Sequence, residues 1–366
     1  MPRVALYVSG HGFGHAVRSA QVAVALLDNG SEVVVRTDAP AWLFPIGATY
    51  LSGPPVDVGV VQHDGLEFDI DATRQRWLDF GATFDQRTEV EATLLRDQAI
   101  DFVVGDIPPL AFAAAARAGL PSAAVTNFGW DWIYAAWPAM DAAIELVQRG
   151  YGRADVLYQL PLHSDCADAF SAFRAVEDVP LIVRFAQRPR HAVRAELGLS
   201  QDRHVVLISF GAFQADRFDI NSLGRLPEHT FVLTPPIATR VTSPPPQNVL
   251  RLAEQPADYV SLLAACDAVV TKPGYGIVAD CLANRVAVLF TDRGPFREYD
   301  VLADALQRLG RARYVPRDDV LAGRLGPHLD ALRANANTWT EQPMDGAQVV
   351  AQRVLARLTN RWNAVT

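Results

Sequence analysis

Cysteine is scarce in this sequence, which contains three among 366 residues. Cys166, Cys266 and Cys281 are odd in number and lie far apart, so they fit neither a disulfide framework nor a zinc-binding pattern. This scarcity predicts a protein of a reducing, cytoplasmic compartment, with no structural disulfide and no bound metal.

Positive charge is also in short supply. Lysine and arginine together number 33 against 41 aspartate and glutamate residues, a formal net charge of −8. An acidic balance argues against a broad surface for nucleic acids or anionic membranes. Long apolar runs are missing too, and the first residues pass directly into a strand pattern without a cleavage signal. We therefore expect a soluble protein with small-molecule partners, and the sequence leaves its oligomeric state open.

The sequence does have a regular alternation of short apolar runs and helical patterns. Half of the residues are hydrophobic, which is enough to bury two cores in a chain of this length. Five strands are predicted in the first half, at residues 4–8, 32–36, 101–104, 122–126 and 156–159. Six are predicted in the second half, at residues 205–211, 230–234, 249–252, 268–271, 286–290 and 313–315. Buried strands separated by helices are typical of parallel α/β sheets.

The alternation breaks once, around residues 178–180, and restarts after Pro189. This break predicts a domain boundary near Arg184. We expect one doubly wound domain over residues 1–184 and a second over residues 185–345. The remaining segment, residues 346–366, contains an amphipathic helix predicted at 347–358, which we expect to pack back on the first domain.

A glycine-rich turn with two histidines follows the first predicted strand, in residues 9–15 with the sequence SGHGFGH. Glycines let a backbone bend sharply and approach a ligand closely. An imidazole at a helix start is placed to take a proton from a molecule bound across the cleft, which makes His15 the candidate base. The alternative is that His15 caps the helix or meets solvent.

Asp106 is predicted to lie beside this turn, because it follows the strand at 101–104 and parallel strands end at the same edge of a sheet. A carboxylate there would fix the tautomer of His15 and stabilise the imidazolium that forms when the ring takes a proton. Asp106 also precedes Pro108 and Pro109, so a turn-forming role is the alternative.

These motifs resemble those of the GT-B glycosyltransferases, whose two Rossmann-like domains face each other across a cleft that holds the ligand. Residues 12–18 are similar to the G-x-G-H-x-x-R loop of the transferases and nucleotide-sugar hydrolases related to the peptidoglycan N-acetylglucosaminyltransferase. Residues 267–280 are similar to their donor motif. Nearly the whole chain resembles the N-terminal glycosyltransferase-like region of plant L-arabinokinases, whose sugar-kinase half has no counterpart here. That resemblance is carried by residues 10–15, 125–128, 130–135, 178–181 and 274–276.

The resemblance implies a metal-independent, inverting transfer of a sugar from a nucleotide sugar, UDP-linked, to a hydroxyl group, without a cofactor. Backbone N–H groups at the start of a second-half helix would meet the diphosphate. Asp280 resembles the carboxylate that accepts both ribose hydroxyls, although the family usually has the longer glutamate. The predicted donor-binding residues are Gly12, Gly14, Gly211, Lys272, Pro273, Gly274, Tyr275, Gly276, Asp280, Asp292 and Arg293.

An aromatic and polar cluster follows the strand predicted at 122–126. Aromatic faces beside carboxylates suit a sugar, so Asn127, Trp130 and Asp131 are candidate acceptor contacts, and His11 is a fourth. The alternative is that the tryptophans belong to the core, as buried aromatic residues usually do.

Two further functions fit the same architecture. In a nucleotide-sugar hydrolase or epimerase, His15 would activate water or move a ring proton. A module that binds sugar nucleotides without turnover is another alternative. A nicotinamide-dependent oxidoreductase fits less well, because His15 stands where the dinucleotide fingerprint has its third glycine.

Overall fold

The structure is a computed structural model of the 366-residue chain. It describes residues 1–62, 68–210, 218–235, 244–254, 256, 258–334 and 339–365, with side chains described as far as residue 361 in the last helix. The chain forms two lobes, each built on one parallel sheet that is covered by helices on both faces.

The first lobe contains, within the described residues, a seven-stranded parallel sheet in the order β3-β2-β1-β4-β5-β6-β7. Its strands are β1 Arg3–Val8, β2 Glu32–Arg36, β3 Thr49–Leu51, β4 Phe102–Asp106, β5 Ser122–Thr126, β6 Val156–Gln159 and β7 Val176–Asp178. Its helices are α1 Phe13–Asp28, α2 Ile70–Ala82, α3 Phe84–Asp97, α4 Pro109–Ala118, α5 Trp130–Tyr134 and α6 Asp141–Tyr151, with a 3-10 turn at Ala41–Leu43. From β1 the strands add outward in one direction as β2 and β3 and in the other as β4 to β7. The strand order therefore reverses between β1 and β4, and open α/β sheets bind their ligands at such a point.

The second lobe repeats the plan with a sheet in the order β10-β9-β8-β11-β12-β13, again within the described residues. Its strands are β8 His204–Ile208, β9 His229–Leu233, β10 Val249–Arg251, β11 Ala268–Thr271, β12 Ala287–Phe290 and β13 Ala312–Tyr314. Its helices are α7 Arg190–Glu196, α8 Tyr259–Ala265, α9 Tyr275–Asn284, α10 Glu298–Leu309, α11 Arg317–Leu321 and α12 Gly326–Ala334, with a 3-10 turn at Ile220–Arg225. The predicted α/β class with two doubly wound sheets is confirmed.

All of the predicted strands are present, and four of them match to the residue: β2, β5, β6 and β11. Two edge strands, β3 and β7, were not predicted. Each has three residues, and none of their side chains is fully buried. A short, half-exposed strand has no run of apolar residues, which is the signal that marks the central strands.

The last helix, α13 Gly346–Val365, packs against the first lobe. Val350 and Val354 are fully buried there. In the same helix, Arg357 donates to the hydroxyl of Tyr158 at 3.0 Å, and Arg353 donates to Glu177 at 3.0 Å. The chain therefore passes between the lobes twice.

The two crossings lie side by side. Ile182 and Asp345 form an isolated antiparallel bridge, and the N–H of Leu181 donates to the carbonyl of Pro343 at 3.1 Å. These contacts join the segment that leaves the first lobe to the segment that returns.

Within the described part of the chain, no helix combines the length and the apolar character that a membrane crossing requires.

Candidate active site

A cavity of about 210 Å³ lies between the carboxyl ends of the two sheets. Both lobes contribute to its wall, the first through the turn after β1 and the second through the turns after β8, β11 and β12. Eleven of the residues predicted from the sequence line it: His11, Gly12, Gly14, His15, Lys272, Pro273, Gly274, Tyr275, Gly276, Asp280 and Arg293. Gly211, another predicted residue, lies outside the described residues.

The turn between β1 and α1 places His15 in the first turn of the helix. Gly12 precedes the helix with φ of 72°, in the left-handed region that favours glycine. At Gly10 a Cβ atom would lie 2.2 Å from a carboxylate oxygen of Asp38, so a side chain there would displace that carboxylate. The glycines thus allow a sharp bend that sets the imidazole at the cavity wall.

His15 and Asp106 lie together, with His15 Nδ1 2.8 Å from Asp106 Oδ1. Asp106 is the last residue of β4, and its register with Val8 of β1 brings it to the start of α1. Both residues are buried, at 5% and 3% exposure. The contact makes Nδ1 the proton-bearing nitrogen of a neutral His15, so Nε2 is the nitrogen free to accept a proton.

Arg18, one helical turn after His15, completes this cluster. Its Nε donates to Asp106 Oδ2 and its Nη2 to Asp106 Oδ1, each at 2.6 Å, and the hydroxyl of Ser19 adds a third bond at 3.0 Å. Burial alone raises the pKa of Asp106, but the charges of Arg18 and His15 outweigh it and lower that pKa to about 2. The carboxylate is therefore ionised whenever the protein is folded near neutral pH.

Arg18 is the last residue of the glycine motif at 12–18, and the sequence alone predicted no role for it. Its spacing of three from His15 places both on one face of α1, which was the available signal. The guanidinium also lies 5.1 Å from the centre of the Tyr275 ring, across the gap between the lobes. Arg18 thus contacts both halves of the site.

The second glycine turn, between β11 and α9, faces the first. Gly274 lies just before α9, and the helix starts at Tyr275. At Gly276 a Cβ atom would lie 3.3 Å from Val17 of α1 and 3.7 Å from the Cα of Gly14, so the two helix starts are packed together. Free N–H groups and the helix dipole make such a terminus a site for an anion.

Asp280 lies in the middle of α9, paired with Arg184 from the crossing segment. Arg184 Nη2 donates to Asp280 Oδ2 at 2.5 Å, and the backbone N–H of Arg184 donates to Oδ1 at 3.2 Å. Both residues line the cavity. Arg184 was not predicted as a site residue, because it is 96 residues from Asp280 in the chain and no local pattern links the two.

A bridge of polar side chains joins the lobes at the cavity wall. Asn127 Nδ2 donates to Glu298 Oε1 at 2.9 Å, and Arg293 Nη1 donates to Glu298 Oε2 at 2.8 Å. Asn127 Oδ1 in turn accepts from Arg18 Nη1 at 2.6 Å. Asp292, predicted beside Arg293, instead accepts from the hydroxyl of Tyr314 on the outer surface and does not contribute to the described wall.

Three of the predicted acceptor contacts are buried behind the wall. Asn127, Trp130 and Asp131 are 1%, 0% and 4% exposed, and none of them contributes to the described wall. Trp130 donates to a buried carboxylate, Asp57, at 3.0 Å, and burial raises the pKa of Asp131 to about 6. Every residue of α5, including Trp130 and Asp131, is buried, so an acceptor contact by these three residues stays a prediction.

His11, the fourth predicted acceptor contact, does line the cavity. Its Nδ1 accepts the backbone N–H of Val60 at 3.3 Å, so Nε2 carries the proton. Burial, together with the charges of His15, Arg293 and Lys272, lowers the pKa of His11 well below its usual value. His11 is therefore a neutral hydrogen-bond donor rather than a base.

An exposed aromatic side chain that the sequence did not point to lies at the mouth of the cavity. Trp42, in the 3-10 turn after β2, is 61% exposed, and its ring meets Phe13 edge to face at 5.6 Å. Both residues and Leu43 line the cavity.

Within the described residues, no group of three or more His, Cys, Asp or Glu side chains is arranged to hold a metal ion.

Comparison with known proteins agrees with this architecture. The chain is 33% identical over 340 residues to L-arabinokinase of Arabidopsis thaliana, a match that covers 89% of this chain and 32% of that protein. This chain thus spans about a third of the length of its curated relative. The predicted resemblance to plant L-arabinokinases is confirmed over that segment. No protein-family model matches the chain.

Solved structures of glycosyltransferases share the fold over nearly the whole chain. CalG4, the calicheamicin glycosyltransferase, has a TM-score of 0.63 at 16% identity, covering 98% of this chain and 94% of that one. UGT89C1 of Arabidopsis thaliana complexed with UDP has a TM-score of 0.61 at 14% identity, covering 97% and 94%. MurG of Acinetobacter baumannii has a TM-score of 0.54 at 16% identity, covering 97% and 100%. The chain has the GT-B fold, as predicted.

Proposed function

We propose that this protein transfers a sugar from a nucleoside diphosphate sugar, UDP-linked, to a hydroxyl group of a small molecule or sugar. One observation carries the proposal. His15, held by the buried Asp106 behind it, and the start of α9 line the same cavity from opposite lobes. The glycosyltransferases that share the fold, one of them solved with UDP, support the same reaction class.

His15 is the general base of this reaction. The acceptor hydroxyl gives its proton to Nε2 while its oxygen forms a bond to the anomeric carbon. Asp106 accepts from Nδ1 and stabilises the imidazolium that results. Because Arg18 already neutralises much of the charge of Asp106, orientation of the ring is the larger contribution of that carboxylate.

The leaving diphosphate takes the electron pair of the broken bond to the anomeric carbon. The N–H groups at the start of α9 are preorganised for that charge, and Lys272 and Arg293 line the same wall. Because base and leaving-group site occupy opposite lobes, a single displacement inverts the anomeric carbon. The helix terminus and the two cations supply the positive potential for which many transferases use a metal ion, so we propose that transfer continues in a chelator.

The acceptor approaches His15 through the mouth of the cavity. Trp42 offers an exposed ring there, held against Phe13, and aromatic faces suit sugars and planar molecules. His11 supplies a neutral donor beside the reacting groups. These side chains belong to the first lobe, which leaves the second lobe to the donor.

The test is a mass-spectrometric screen of UDP-sugars against sugar and small-molecule acceptors, followed by variants. His15→Ala is expected to lower turnover by about 10² to 10⁴-fold, the usual contribution of a general base, while UDP binding persists. The matched control is His191→Ala, an exposed histidine outside the cavity wall. Transfer by His15→Ala at the wild-type rate would exclude His15 as the base.

Incubation with donor alone separates the related reactions. A transferase leaves the donor intact until an acceptor is added. Release of free sugar at the rate of transfer would assign the protein as a hydrolase instead. Exchange of stereochemistry at a ring carbon would assign an epimerase, and tight binding without any product would assign a binding module.

A further inference from the structure

One segment of the second lobe, residues 293–298 after β12, is inserted into the first lobe. Phe296 is 3% exposed and belongs to the apolar core of the first lobe, where its ring lies 6.0 Å from that of Phe128. Trp137 Nε1 donates to the carbonyl of Pro295 at 2.7 Å. The segment therefore joins the second lobe to the residues that follow β5 and α5.

Glu298, the last residue of this segment, continues the contact with polar bonds. Its Oε1 accepts Asn127 Nδ2 at 2.9 Å, and its Oε2 accepts Arg293 Nη1 at 2.8 Å. Asn127 Oδ1 accepts Arg18 Nη1 at 2.6 Å. A guanidinium only donates and an ionised carboxylate only accepts. An amide between them therefore satisfies both, with its oxygen towards Arg18 and its nitrogen towards Glu298.

Arg18 connects these bonds to the base of the first lobe. It donates twice to Asp106 at 2.6 Å, and Asp106 lies 2.8 Å from Nδ1 of His15. Burial by itself lowers the pKa of Arg18, but the acidic groups around it, Asp106 above all and Glu298 among them, outweigh burial and raise that pKa. We call this series of contacts the polar chain, and its members are Glu298, Asn127, Arg18, Asp106 and His15.

We propose that Glu298 is a positioning residue for His15 and acts on it through the polar chain. The inference rests on the proposed function, since it names a further residue of the same site. Glu298 belongs to the lobe assigned to the donor and His15 to the other lobe, so the imidazole is fully held only where the lobes meet. Hydrogen bonds are directional, and they therefore specify an orientation that the apolar contact of Phe296 does not.

Asn127→Asp tests the proposal, because it reverses one bond of the polar chain with little change of shape. The new carboxylate still accepts from Arg18, but it repels Glu298 and loses a longer bond to the carbonyl of Leu162, at 3.3 Å. With a donor and acceptor from the mass-spectrometric screen, kcat is expected to fall by about tenfold or more, as for a lost bond to a charged group. The dissociation constant of UDP is expected to stay within about threefold.

Two results with Asn127→Asp would overturn the proposal. A fall in UDP affinity that matches the fall in kcat would assign the polar chain to donor binding. A raised KM for the acceptor at unchanged kcat would assign Asn127 to the acceptor.

A second substitution separates positioning from general damage. Glu298→Gln in the Asn127→Asp protein supplies an amide that donates to the new carboxylate, so kcat is expected to return to within about threefold of wild type. A double variant as slow as Asn127→Asp would show that the two side chains do not act on each other, against the proposal.

Arg297→Gln is the matched control. Arg297 also joins the lobes, through a bond of 2.9 Å to the carbonyl of Trp132, but it lies outside the polar chain. Its kcat is expected to match that of the wild type. A loss equal to that of Asn127→Asp would mean that any weaker contact between the lobes slows the reaction, which would contradict the role of Glu298.

The orientation of the imidazole can also be measured without a substrate. The Nδ1–H of His15, bonded to Asp106, is expected to give a separate proton signal in NMR spectra of protein with isotope-labelled histidine, and His15→Ala identifies it. The signal should be retained in Arg297→Gln and in the double variant, and shifted or lost in Asn127→Asp. An unchanged signal in folded Asn127→Asp would overturn the proposal.

Glu298→Gln alone covers the case in which Asn127→Asp does not fold. One amide oxygen then replaces two carboxylate oxygens, so a bond from Asn127 or Arg293 is lost. The fall in kcat and the change in the imidazole signal are expected here too, and their absence would count against the proposal. If no donor is turned over at all, the proposed function fails, and the imidazole signal alone decides whether Glu298 positions His15.

Discussion

The two lobes use one backbone plan for two different tasks. Each has a central strand, a glycine turn and a helix whose first turn faces the cleft, β1 to α1 in one lobe and β11 to α9 in the other. The first turn carries an imidazole backed by a buried carboxylate, His15 and Asp106. The second carries Gly274 and Gly276, and no side chain caps the start of its helix. The same backbone turn provides a proton acceptor where it carries a histidine and an anion site where it carries glycines.

Each lobe also places one aspartate-arginine pair near the cleft. In the first lobe, Arg18 and Asp106 are both buried, with side chains 3% and 4% exposed. In the second lobe, Arg184 is 25% exposed and Asp280 is 2% exposed. The first pair serves to hold a neighbouring side chain, and the second leaves its cation accessible to a ligand.

The largest effect is expected from removing one carboxylate charge in each lobe. Asp106→Asn should destabilise the protein by about 3–5 kcal/mol, because Arg18 stays buried without its counter-charge. Asp280→Asn should destabilise it less, since water reaches the partly exposed Arg184. The free energies of unfolding in urea measure both. Equal losses would mean that the two pairs have the same role.

The second effect concerns the packing of the two helix starts. Gly276→Val should weaken UDP binding by about tenfold or more, because its side chain would meet Val17 and push the start of α9 from α1. Ala283→Val, later on the same helix and outside the cavity wall, is the control. Unchanged affinity in Gly276→Val would show that the start of α9 does not bind the diphosphate.

Lys272 gives a chemical test of the same turn, because it is the single lysine of the sequence. An amine-reactive reagent can therefore modify only this side chain and the chain's α-amino group. At a UDP concentration about ten times its dissociation constant, about nine-tenths of Lys272 should be protected. Peptide mass mapping measures the label, with the α-amino group as internal control. Full labelling in saturating UDP would place the diphosphate elsewhere.

A histidine pair at the opposite end of the second sheet should affect stability but not catalysis. His204 Nδ1 lies 3.1 Å from His229 Nδ1, and burial is the main cause that lowers the pKa of His204 to about 4. An unfolded histidine titrates near 6.5, so this contribution is full above that pH and is lost as the pH falls towards 4. Since His204 is partly exposed, we expect about 1 kcal/mol. Urea unfolding at pH 7 and pH 5 should show a loss that His204→Gln reduces.

The smallest effect is expected at the mouth of the cavity. Trp42→Ala should raise the KM for a sugar acceptor by about five- to tenfold, as loss of one aromatic contact does, without changing UDP affinity. Ile46→Ala, a fully exposed residue of the same lobe, is the control. A change in UDP affinity instead would assign Trp42 to the donor.

The sequence predicted the central strands because they are buried on both faces and form continuous apolar runs. It missed β3 and β7 at the edges of the sheet, where strands are short and half exposed. The segments in which the chain crosses from one lobe to the other left one sign in the sequence, the interruption of the strand-helix alternation around residues 178–180.

Within the site, the juxtaposition of His15 and Asp106 follows from parallel strands that end at one edge. The pairing of Arg184 with Asp280 and the bridge from Asn127 to Glu298 depend on which side chains meet between distant segments, and one sequence does not contain that information. The sequence alone left the aromatic residues of α5 between a core and an acceptor site, because an aromatic cluster has the same composition in both places.

The most direct measurement is a crystal structure of the protein with UDP bound. The diphosphate oxygens are expected within about 3 Å of the N–H groups at the start of α9, with His15 Nε2 facing the vacant sugar position. A diphosphate held away from α9, or an imidazole turned away from the nucleotide, would contradict the proposed site.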